Sequence, residues 1–109
     1  MSLAAALDVT ASRERVVFRL AVENASPDAV ELRFPSARTV EVVVRADGEE
    51  AWRWSEGRMF AQALREETLA PGETAVHEAA WDDPEPGEYE AEASLASAPS
   101  ASARASFSV

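Results

Sequence analysis

The sequence predicts an all-β protein, with eight or nine short strands packed as two antiparallel sheets. Apolar and polar residues alternate with a period of two in one stretch after another, which places each strand's apolar side on a single face. Turn-forming residues separate these stretches at intervals typical of a sandwich. No stretch carries a convincing amphipathic-helix pattern. The 109 residues suit one domain spanning 1–109, enough to bury a modest core without covalent staples.

The elements follow in order. Leu3, Ala5, Leu7 and Val9 alternate, giving a first strand that ends near Thr10. Ala11-Ser12-Arg13-Glu14 is polar and turns the chain. Val16, Phe18, Leu20 and Val22 then alternate against Val17, Arg19, Ala21 and Glu23. Asn24-Ala25-Ser26-Pro27-Asp28 breaks that strand with turn formers and a residue lacking a backbone donor. Val30, Leu32 and Phe34 make a third strand, stopped by Pro35. Val40, Val42 and Val44 make a fourth, with β-branched side chains suited to a pleated surface.

Asp47-Gly48 is a hairpin signal, since both positions tolerate positive φ. It returns the chain as a strand carrying Trp52 and Trp54, whose spacing of two points both indoles the same way and Arg53 and Ser55 the other way. Such an aromatic pair is costly to leave in water and is expected as a core anchor. Gly57 marks a break. Residues 59–69 are expected to form a loop with at most one helical turn, then a strand. Pro71-Gly72 fits the centre of a type II turn. A strand over 74–81 leads to the loop Asp82-Asp83-Pro84-Glu85-Pro86-Gly87. Tyr89, Ala91, Ala93 and Leu95 then alternate against Glu88, Glu90, Glu92 and Ser94. Ala103, Ala105, Phe107 and Val109 share one face of a last strand. Gly87-Glu88-Tyr89 looks like the tyrosine corner of Greek-key sandwiches, where the phenol bonds to backbone upstream.

Composition narrows the function classes. Twenty acids face ten bases, every base is arginine, and the net charge is −10. That charge repels itself at low ionic strength, and in molar salt the screening length falls to about 3 Å. An acidic, lysine-free, alanine-rich chain fits a halophilic, high-salt cytoplasm, the alternative being an ordinary acidic protein from a GC-rich genome. No basic patch exists to neutralise phosphates, so neither nucleic acid nor an anionic membrane is an expected partner. The N-terminus has no positive n-region and its apolar run stops at Asp8, so a cytoplasmic protein without signal peptide is expected. There are no cysteines, which excludes disulfides and thiol nucleophiles.

Residues able to carry chemistry are sparse. His77, the single histidine, shares a strand face with Ala75, Ala79 and Trp81 and reads as a neutral, hydrogen-bonded histidine near the core edge rather than a triad member. One histidine without cysteine does not make a closed zinc site. Glu88, Glu90 and Glu92, with Asp82 and Asp83, read as a solvated acidic face in preference to a calcium cage. No glycine-rich phosphate cradle is present. No catalytic residue, metal ligand or cofactor is therefore expected, and the chain does not read as an enzyme.

The order of motifs carries more. Phe18-Arg19-Leu20-Ala21-Val22-Glu23-Asn24-Ala25-Ser26 precedes Val30-Glu31-Leu32-Arg33-Phe34. Then come Ala51-Trp52-Arg53-Trp54-Ser55-Glu56-Gly57-Arg58-Met59-Phe60-Ala61-Gln62 and Leu69-Ala70-Pro71-Gly72-Glu73-Thr74, closed by Trp81 and Pro86-Gly87-Glu88-Tyr89. This succession, from about residue 18 to 95, resembles the intracellular proteinase inhibitor family of bacteria and archaea. The chain departs from the family pattern at Ala37-Arg38, where Gly-Gln is expected. The resemblance implies an immunoglobulin-like sandwich that reversibly inhibits or regulates an intracellular subtilisin-like serine protease, as a monomer or weak dimer. The contact candidates are Ser55, Glu56, Gly57, Arg58, Met59 and Phe60, with Arg58 and Met59 suited to a specificity pocket. The rival is a non-inhibitory immunoglobulin-like module that binds another protein, for instance by strand addition at a sheet edge.

Overall fold

The structure, a computed structural model, describes residues 2–109. Nine strands follow one another: β1 (Leu3–Ala11), β2 (Arg15–Asn24), β3 (Val30–Phe34), β4 (Val40–Ala46), β5 (Glu49–Arg53), β6 (Arg65–Leu69), β7 (Thr74–Asp82), β8 (Glu88–Leu95) and β9 (Ser102–Ser108). There is no helix among the described residues. Every strand pairing is antiparallel, in sheets ordered β1-β2-β7, β3-β6 and β5-β4-β8-β9. The all-β antiparallel expectation holds, and the arrangement is consistent with an immunoglobulin-like sandwich.

Alternation decides which side of each strand is inside. Val16, Phe18, Leu20 and Val22 of β2 are buried, opposite Trp81, Ala79, His77 and Ala75 of β7. Val40, Val42 and Val44 of β4 pair with Leu95, Ala93 and Ala91 of β8, and all six are buried. Val30, Leu32 and Phe34 of β3 complete the core with Leu69 of β6. Side chains from the inner faces of facing sheets thus interdigitate in one apolar layer.

Five aromatic rings close a circuit through that layer. Phe18 lies 5.9 Å from Trp52, Trp52 5.4 Å from Trp81, and Trp81 5.2 Å from Tyr89. Tyr89 lies 5.5 Å from Phe107, which returns to Phe18 at 5.7 Å. Each ring comes from a different strand, so the circuit ties β2 and β7 of the three-stranded sheet to β5, β8 and β9 of the four-stranded one. Stacked and edge-to-face pairs at such separations stabilise beyond the area they bury. The tyrosine corner is formed, with the Tyr89 hydroxyl donating to the Glu85 carbonyl at 2.7 Å.

The turns behave as their residues dictate. Asp47 and Gly48 have φ of 52° and 81°, the geometry of a type I′ hairpin turn. Gly72 has φ of 79°, and the Glu73 N–H donates to the Ala70 carbonyl at 2.9 Å, closing the expected turn around Pro71. Asn24 is buried but satisfied. Its amide donates to the carbonyls of Asp28 and Leu69, and its oxygen accepts from the Ser26 N–H and hydroxyl. This side chain therefore stitches the end of β2 to the following turn and to the end of β6.

A candidate docking loop and its base

The connection 54–64 between β5 and β6 is irregular but fastened. The Trp54 N–H donates to the Val42 carbonyl at 3.0 Å, carrying the β4–β5 ladder one residue past the strand. The Glu56 N–H then donates to the Arg53 carbonyl and the Arg58 N–H to the Ser55 carbonyl, each at 3.1 Å. Gly57, at φ of 77°, supplies the left-handed residue these turns need. Arg58 folds back so that its Nε donates to the Trp54 carbonyl at 2.7 Å, with its guanidinium carbon 4.7 Å from the Trp54 ring centre. The Phe60 ring lies 5.5 Å from the same indole. Farther on, the Ala37 N–H donates to the Ala61 carbonyl at 2.9 Å.

Between the two fastened residues Arg58 and Phe60, Met59 is 98% exposed. That is an unusual place for a large apolar side chain, which gains free energy by leaving water. Leu64, at 81%, is exposed on the same connection. Of the six candidates, Glu56, Gly57, Arg58 and Met59 face solvent, while Ser55 and Phe60 are half-buried. Within this group Ser55 and Phe60 are tucked against the domain, Arg58 is exposed but folded over Trp54, and Met59 projects into solvent.

The tryptophans divide as well. The expectation of a jointly buried indole pair is corrected: both are half-buried, and only Trp52 belongs to the aromatic circuit. β5 ends at Arg53, so Trp54 lies beyond the strand and makes the floor under Arg58 and Phe60.

On the opposite face of this hairpin lies a polar cluster that sequence reasoning missed. Glu41 of β4 is buried, yet both its oxygens are engaged. Oε1 accepts the Val42 N–H at 3.0 Å and the Ser55 N–H at 3.2 Å. Oε2 accepts the Ser55 hydroxyl and Arg38 Nη1 at 3.1 Å, with Arg53 Nη1 at 3.6 Å. Arg53 also donates to Glu50 at 2.7 Å. That hydrogen bond holds the Glu50 carboxyl below the ordinary carboxylate range and the Arg53 guanidinium above its own. The signal available in the sequence was a lone carboxylate inside the run Val40-Glu41-Val42-Val43-Val44, three residues after an arginine.

Charge is distributed unevenly among the cations. Among the described residues, every arginine except Arg13 and Arg58 ion-pairs with a carboxylate. Arg58 therefore keeps a charge that no acid of its own chain neutralises at close range. Glu90 and Glu92 lie against Arg104, and Glu92 also against Arg45, so two of the three β8 acids are paired on its outer face.

His77 does not join a reactive group. Its ring lies 6.2 Å from Phe34, and burial pushes its imidazole below the ordinary value. The expectation that it is hydrogen-bonded is corrected, because Nε2 is enclosed without a partner. Its inward neighbours on β7 are alanines and the ring it faces is a phenylalanine, and the Glu67 carboxylate and Arg65 act on it only through their charge. No serine hydroxyl or carboxylate is hydrogen-bonded to that nitrogen.

The structure is thus an antiparallel β-sandwich with an anchored, exposed loop between β5 and β6. The chain matches the model of the BsuPI intracellular proteinase inhibitor family over residues 3–100 and belongs to that family. A search among curated proteins finds no match. No helix of the structure is long and apolar enough to cross a membrane.

Proposed function

We propose that this chain is a reversible inhibitor of an intracellular subtilisin-like serine protease. In this reading it acts as one domain in the cytoplasm, without catalytic activity of its own, and docks through the loop carrying Arg58 and Met59. The observation that carries the reading is the placement of Met59, almost wholly exposed between two residues pinned to Trp54. A loop held in one shape before binding loses little conformational freedom on docking, which conserves affinity. A buried apolar anchor and a desolvated arginine are the residue types that dominate such interfaces, over about 800 Å² per partner.

The test is titration of a subtilisin-type protease with the protein in molar salt. Stoichiometric loss of activity is expected. Arg58→Ala and Met59→Ala are each expected to weaken inhibition by about tenfold or more, the scale of a residue worth above about 1.4 kcal/mol at an interface. An unchanged rate at micromolar protein favours the non-inhibitory interaction module.

A further inference from the structure

We infer that Glu41 is the positioning residue of the docking surface, fixing the base of the 55–60 loop to the 35–39 segment so that both meet the protease as one face. This rests on the protease-docking reading, and it deepens it by naming what holds the loop in its binding shape.

Five groups converge on one carboxylate, and the four that lie outside β4 come from three places in the chain. The Ser55 N–H and hydroxyl belong to the first residue of the loop, Arg38 to the segment before β4, and Arg53 to the end of β5. Glu41 has four of its contacts with residues outside its own neighbour Val42, so its placement is decided by tertiary structure rather than by β4 alone. A buried carboxylate is tolerated only when its lone pairs are used and its charge is matched, and both conditions hold here. Removing the charge leaves two guanidinium groups facing an amide, and the Ser55 contacts lose their acceptor strength.

The second tie is the Ala37 N–H to Ala61 carbonyl bond at 2.9 Å. It joins the same two segments at the far side of the exposed tip. The 54–61 stretch is therefore held to the 35–39 segment at both its ends, through Ser55–Glu41–Arg38 and through Ala61–Ala37. Between these ties, Arg58 and Met59 stand out, while Pro35 and Ala37 lie exposed on the adjoining segment. The surface so defined presents the apolar side chains of Pro35, Ala37 and Met59 beside the Arg58 cation, which makes no ion pair, and the Glu56 carboxylate, a mixed face suited to an apolar cleft with polar groups at its rim.

The variant Glu41→Gln keeps size and one acceptor but removes the charge. Three readouts separate positioning from bulk stability: the melting temperature, the inhibition constant, and the rate at which trypsin cuts after Arg58, located by mass spectrometry. Glu41→Gln is expected to weaken inhibition and to speed that cut, each by about tenfold, because the loop loses its fixed shape. The milder Ser55→Ala is expected to shift both readouts the same way, and Ser55→Thr, which retains the hydroxyl, to restore them. Should Glu41→Gln fail to fold, Ser55→Ala against Ser55→Thr decides alone. An unchanged cutting rate after Arg58, or loss of inhibition only in step with the melting temperature, overturns the inference. A wild-type protein that inhibits no subtilisin-type protease removes the functional reading instead, and the trypsin cut then judges the clamp by itself.

Discussion

Met59 and His77 are in opposite situations, and each shows how surroundings decide what a residue can do. Met59 has solvent where an apolar side chain does best with neighbours, so its free energy is lowered by a partner that covers it. His77 has an enclosed nitrogen where a hydrogen bond should be, so it favours whichever protonation state carries no charge. Burial is the largest cause of the lowered value, the Glu67 carboxylate opposes it and Arg65 adds to it. The sign follows from linkage. As pH falls through about 6.5, the unfolded chain binds a proton that the folded chain refuses, so stability drops below that pH and is unaffected by His77 above it. Urea midpoints at about pH 7.5 and 5.5 should therefore fall further in the wild type than in His77→Leu, which cannot take up the proton. Equal losses in the two proteins would show that the carboxylates alone set the acid limb. The sequence placed His77 on the inward face of its strand correctly. It did not disclose what that face met, because Phe34 lies far away along the chain.

At the level of elements, strand positions and the β4–β5 hairpin were legible, and the long-range partners were not. The run Val16, Phe18, Leu20, Val22 announced β2, and Asp47-Gly48 announced the β4–β5 hairpin, because each depends on residues adjacent in sequence. The pairing of β3 with β6 and of β2 with β7 depends on chain segments far apart, which no local pattern encodes. The same reason hid the Glu41 cluster, whose reach to Ser55 crosses the whole hairpin. The loop itself was legible as a break at Gly57 beside the two pocket candidates Arg58 and Met59. That Trp54 would lie at the core's edge beneath Arg58, half-buried and outside the aromatic circuit, was not, since spacing fixes direction but not depth. Gly57 offers a clean probe of the loop's backbone. An added Cβ meets nothing within 4 Å, but φ is 77°, a conformation costing an L-residue about 1–2 kcal/mol. Gly57→Ala should thus weaken protease inhibition while leaving the urea midpoint of the sheets nearly unchanged. A parallel fall in both would place Gly57 in the folding unit instead of the loop.

For the whole molecule, the balance between ion pairs and excess acid decides the response to salt. Eight arginines are already paired, mostly at exposed sites where a pair contributes little. Among the described residues the remaining acids make no ion pair, and the net charge of −10 opposes compaction. Screening weakens both terms, but the repulsion is the larger because its sources outnumber the pairs and each pair is weak. Stability is therefore expected to rise between dilute buffer and molar salt. A gain of only about 1 kcal/mol should lift the melting temperature by about 4–8 °C in a chain of this size. A flat melt across that range would mean the surface pairs offset the excess acid.

The separation of Trp54 from the other two indoles gives the molecule a built-in optical signal. Trp52 and Trp81 stack within the five-ring circuit, whereas Trp54 carries a guanidinium over its face. A guest that draws Arg58 away would alter the emission of that one fluorophore and leave the stacked couple unchanged. Occupancy of the loop could then be followed by light alone, with no label attached.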